Sequence, residues 1–157
     1  MIVSKIESEE CSRKLQKSGK IIKLWWSRKE ENNDDRFQTE RVNVYDSINL
    51  TEIAGKSFLV GSNSNGIDVY NIDSCTVAVC MPVNTDVVFK SVFKEVFIIT
   101  KSSVSTQVWD EVGSLMFEEN EKYLLDVVFS GTGPCVKRTD KESGREELFT
   151  MEGHLLG

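Results

Sequence analysis

A strand-like run that closes on an aromatic or β-branched residue, then on Asn or Asp, occurs three times in this chain. The three copies are Val69-Tyr70-Asn71, Val108-Trp109-Asp110 and Arg138-Thr139-Asp140. Their turn residues stand 39 and 30 positions apart (71 to 110, then 110 to 140). Self-similarity on this scale marks stacked β modules, because one small antiparallel unit cannot bury its apolar face alone. Arrays of this kind present surface, so the pattern points to recognition and away from a reaction. It does not say what is recognised.

Between these anchors the chain is punctuated as an antiparallel meander. From Lys20 onward, apolar runs of four to seven residues alternate with turn signals. Strands are expected at Lys20–Trp26, Arg36–Glu40, Val42–Ile48, Ser57–Gly61, Gly66–Tyr70, Cys75–Cys80 and Thr85–Phe89. Further strands are expected at Glu95–Thr100, Ser105–Trp109, Gly113–Phe117, Tyr123–Ser130, Cys135–Thr139 and Arg145–Thr150. Ser27–Asp35 is too hydrophilic to be buried and reads as a loop. Both prolines, Pro82 and Pro134, fall at expected turns. Residues 1–19 are polar with weak periodicity and read as an N-terminal arm, with a short helix over Ser8–Gln16. Residues 20–157 form the β domain. No long amphipathic helix separates the strands, which argues against a parallel α/β sheet.

The 157 residues suit a single domain, and 39% apolar with 28% charged is ordinary globular composition. A net charge of −6 argues against a general binder of phosphate backbones. One stretch departs from that balance. Lys14, Lys17, Lys20, Lys23, Arg28 and Lys29 surround Trp25 and Trp26, and interleaved cations and rings can serve single-stranded RNA. The same residues also suit a half-buried strand with a solvated lysine face. The acidic run Glu30-Glu31-Asn32-Asn33-Asp34-Asp35 follows at once and opposes a polyanion there.

Neither a signal peptide nor an apolar run long enough to span a bilayer is read, so an intracellular setting, cytoplasmic or nuclear, is expected without membrane association. The four cysteines, Cys11, Cys75, Cys80 and Cys135, are scattered and fit reduced thiols. A single histidine, His154, leaves little room for a Ser-His-Asp or Cys-His arrangement or for a histidine-rich zinc site. Gly61–Gly66 has no Lys and no following helix, so it is a turn and no phosphate loop. The carboxylates at Glu30, Glu31, Asp34, Asp35, Glu118, Glu119 and Glu121 lack the alternating spacing of a calcium loop. No enzyme activity, cofactor, metal or small-molecule substrate is therefore expected.

The residues so far resemble the WD-repeat β-propeller family. The third strand of each four-stranded blade there commonly ends in Trp-Asp, as Val108-Trp109-Asp110 does, while Val69-Tyr70-Asn71 and Arg138-Thr139-Asp140 match more loosely. Gly153-His154 stands where that family carries the Gly-His pair that precedes a blade. No such pair precedes the earlier units. The resemblance covers roughly 20–157 and implies antiparallel four-stranded blades of a partial propeller, three to three and a half of them. An antiparallel β sandwich or barrel remains open. The resemblance further implies a scaffold or complex subunit that binds protein partners through rims and open sheet edges. RNA association through residues 14–29 is the alternative.

Adjacent Trp25 and Trp26 must face opposite sides of a strand. One therefore suits a core and the other an interface, without the sequence deciding which. Trp25, Trp26, Lys23 and Arg28 are the expected partner-binding residues.

Overall fold

The computed structural model describes residues 2–7, 11–29 and 35–156, with side chains for all of these except residues 2–3, 11, 28–29 and 35–40. Among them every regular element is a strand, and all pairing is antiparallel. The strands are β1 (Ile2–Glu7), β2 (Cys11–Ser18), β3 (Ile21–Lys29), β4 (Asp35–Val44), β5 (Ser47–Ile53), β6 (Lys56–Asn63), β7 (Gly66–Asn71) and β8 (Thr76–Met81). There follow β9 (Asp86–Val92), β10 (Glu95–Lys101), β11 (Ser105–Asp110), β12 (Leu115–Asn120), β13 (Tyr123–Phe129), β14 (Pro134–Asp140) and β15 (Glu146–Phe149). They make four meander sheets, β1–β4, β5–β8, β9–β12 and β13–β15, and none closes into a barrel.

Two compact units result, Met1–Glu52 with Lys56–Val83, and Ile53–Gly55 with Asn84–Gly157. In the first unit, Leu15 and Ile22 of one sheet meet Leu59 and Tyr70 of the next in one buried cluster, joined by Tyr45 and Cys75. In the second unit, Phe97, Ile99 and Val108 meet Leu125, Val127 and Val136 in the same manner. β10 is buried along Val96–Thr100, which is why it reads as an unbroken apolar run.

The repeat has a concrete structural form. Tyr70 and Trp109 each follow a register shift in the third strand of their sheet, between Val69 and Tyr70 and between Val108 and Trp109. The residue after each carries the turn. Asn71 Oδ1 accepts from the Ser74 amide, while Asp110 Oδ1 accepts from the Val112 and Ser114 amides. Asp140 Oδ1 likewise accepts from the Glu142 and Ser143 amides. The second spacing is nine residues shorter than the first because the last sheet lacks a leading strand. A strand such as β9 with its Phe93-Lys94 turn accounts for that length, seven residues and two.

Four expectations change. The N-terminal arm, with its helix over Ser8–Gln16, is replaced by strands: β1 and β2 belong to the first sheet, and β2 pairs with β3 from Cys11 to Ser18. Pairing to a neighbour outweighs the weak local pattern, since Leu15 is the one large apolar residue of β2. Arg36–Glu40 and part of Val42–Ile48 are one strand, β4, because the ladder to β3 continues across Glu40 and Arg41. The expected loop Ser27–Asp35 starts later, since β3 runs on to Lys29; residues 30–34 lie outside the described ones. Cys75 and Cys80 do not share a strand: Cys75 sits in the preceding turn at φ 53°, and Cys80 is on β8.

Candidate interaction site

β2 and β3 are joined through Gly19, whose φ of 58° suits a residue without Cβ. The register sets Lys14 opposite Trp25 and Leu15 opposite Leu24. Because Leu15, Ile22 and Leu24 pack into the core cluster, the even-numbered side chains of this part of β3 face inward. Trp26 thus shares the core-side face, whereas Trp25 and Lys23 share the opposite one. Trp25 and Trp26 border one cleft from opposite faces of β3, Lys23 does not line it, and the side chain of Arg28 lies outside the described residues.

On the Trp25 face, the Lys14 ammonium lies 4.7 Å from the indole centroid, a cation–π contact. Lys5 continues the row from β1 and pairs with Glu7 at 2.8 Å. A cleft of about 220 Å³ is lined here by Lys5, Glu7, Ser12, Arg13, Lys14, Trp25, Trp26 and Ser27. Trp25 Nε1 and Ser27 Oγ are buried without a hydrogen-bond partner among the described residues. A cation over an aromatic face can hold a partner's carboxylate or a stacked ring.

A second constellation in the same unit went unseen in the sequence. Tyr45, just after β4, is 2% exposed, and its ring lies flat over Gly61, where a Cβ would stand 2.8 Å from three ring atoms. That contact aims its hydroxyl at Asp68 Oδ2, to which it donates at 2.6 Å. A phenol donates once, so Tyr70 is the donor in the Tyr45–Tyr70 hydrogen bond. Arg41 donates to the same Asp68 oxygen at 3.2 Å and lies 3.8 Å from Cys80 Sγ. Asn43 is oriented so that its oxygen accepts from Arg41 Nε at 2.8 Å. A polar recess of about 340 Å³ stands above, lined by Arg41, Asn43, Asn63, Asn65, Asp68 and Cys80.

Electrostatics assign roles within it. Burial, then the bond to Asp68, push the Tyr45 hydroxyl far above its ordinary range, so it stays protonated as a donor. Burial and Asp68 also push the Cys80 thiol up, against a smaller opposing pull from Arg41. Burial works against the Arg41 charge, yet Cys80, Tyr70 and Asp68 together raise its pKa, so it remains a cation. Through these contacts Arg41, Asp68 and Cys80 tie β4, β7 and β8 together. The cluster's one readable signal was Asp68 two residues from Tyr70, a carboxylate and a phenol on one strand face.

Trp109 Nε1 donates to Thr100 Oγ1 at 2.9 Å on the neighbouring strand. Among the described residues no group of three or more His, Cys, Asp or Glu is placed to hold a metal ion. No helix there is long and apolar enough to cross a membrane.

No family model matches the chain, and no curated protein matches it. Among solved structures it is similar to a protein of unknown function from Bacteroides caccae, at 9% identity and a TM-score of 0.35. That match covers 96% of this chain, which spans 57% of the length of that one.

Proposed function

We propose that this chain is a non-catalytic interaction module of the WD-repeat-like kind, a partial β-propeller that serves as scaffold or subunit in an intracellular assembly, cytoplasmic or nuclear. The observation that carries the reading is the repeated strand–turn unit. Trp109 is hydrogen-bonded to the neighbouring strand, and Asn71, Asp110 and Asp140 each accept turn amides, which supports reading the repeats as units that build surface. Partners meet the sheet faces, the rims and the edge strands, whose unpaired backbone groups accept an added strand. Trp25, Lys14 and Lys23 contribute one such face.

Molar mass by light scattering over a dilution series tests this. Self-association that reverses on dilution is the expected result, because incomplete sheets seek completion. A strictly monomeric chain with one cooperative melt would contradict the partial-propeller reading.

The Lys14–Trp25 contact favours one second reading, RNA association through residues 14–29. Binding to a single-stranded oligonucleotide would then fall steeply with salt and be lost in Lys14→Gln/Lys23→Gln. Salt-independent or absent binding removes that reading.

A further inference from the structure

The carboxylates of the second unit fall into two groups. Some are paired: Arg138 holds Glu119 at 2.7 Å and Glu147 at 2.9 Å, and Lys90 holds Asp126 at 3.4 Å. Glu95 and Glu152 have no ion-pair partner among the described residues, and both line one cavity of about 510 Å³. Asp110 lines it too. Its Oδ1 is taken by the turn amides, and no described residue donates to Oδ2. The apolar lining includes Phe97, Met116, Pro134, Cys135, Met151 and Leu156, and among the described residues no Lys, Arg or His lines the cavity. A recess of about 220 Å³ shares Glu95, Phe97 and Asp110 and adds Glu111. The surrounding charge has the same sign. Residues 84–157 hold thirteen acidic and eight basic side chains, which is −5 of the chain's −6.

We propose that this cavity binds a Lys or Arg side chain presented by a partner protein. Its volume lies in the range of about 300–1,000 Å³ typical of pockets that enclose a small ligand. Long basic side chains carry an aliphatic stem and a charged head, and the cavity offers the complement of both parts. The stem lies along Met116, Met151 and Leu156, and the head sits among Glu95, Asp110 and Glu152, near the Phe97 ring. This proposal rests on the interaction-module reading and gives its partner a chemistry, a basic segment.

The test uses the full chain, 15N-labelled, titrated with a hexapeptide of alternating Arg and Ala, its Lys counterpart and its Gln counterpart. Saturable shifts confined to Glu95–Phe97, 133–135 and 150–152 are expected with the Arg or Lys peptide and not with Gln. Glu95→Gln/Glu152→Gln should weaken binding about tenfold, while Glu121→Gln/Glu142→Gln, equal in charge but outside the cavity, should change it less than about threefold. Leu156→Ser, at an exposed position, should weaken it without loss of charge. Equal weakening by both double variants, which would mark a general field, or no saturable binding, overturns the proposal. The interaction reading is judged separately by the solution mass, so the two failures are told apart.

Discussion

Gly61 and Tyr45 show how one missing methyl group shapes a site. The ring can lie on the strand only because nothing projects from Gly61, so Gly61→Ala should destabilise by about 1–3 kcal/mol through overpacking, read from urea denaturation. Tyr45→Phe keeps the ring and removes the donor, leaving Asp68 and Tyr70 underserved. The expected loss is about 1–3 kcal/mol with unchanged far-UV dichroism. Asp140 sets a pH dependence. The Ser143 and Glu142 amides hold its carboxyl below the ordinary 3.8. Its folded pKa is the lower one, so the unfolded chain binds more protons. Its stabilisation is complete above the ordinary value and is lost as pH falls through the folded one. Asp140→Asn keeps an acceptor for the turn and should flatten that part of the acid limb in melts from about pH 5 to about pH 2. An unchanged acid limb would remove Asp140 from the account.

At the scale of elements, the repeated turn should behave as a unit. Asp110→Ala removes two amide hydrogen bonds and should cost about 1–3 kcal/mol, read from urea denaturation. An unchanged stability would mean that this cap is incidental to its turn. These turns were legible because Asn and Asp announce them chemically, and β10 because Val96–Thr100 is apolar on both faces. β2 was not legible, since one leucine among Lys, Arg, Ser and Gln carries no period-two signal until β3 lies beside it. The contact of Lys14 with Trp25 was hidden for the same reason. Both residues were candidates within a basic segment, but only the β2–β3 register brings them face to face. Tyr45 and Asp68 lie 23 positions apart and meet through packing between sheets, which no local pattern encodes. The acidic cavity gathers Glu95 from the start of β10, Asp110 from the end of β11 and Glu152 from the segment after β15, so it too exists only once the chain has folded.

For the whole molecule, fifteen described strands in four sheets leave each sheet with two edge strands, and no sheet closes on itself. Edge strands carry unpaired donors and acceptors that another chain can use. The interaction reading therefore predicts a mass above the 17.8 kDa of one chain at high concentration, falling toward it on dilution, in size-exclusion chromatography with light scattering. A constant single-chain mass across the whole series, together with one sharp cooperative melt, would contradict it and mean that the β units complete one another without a partner.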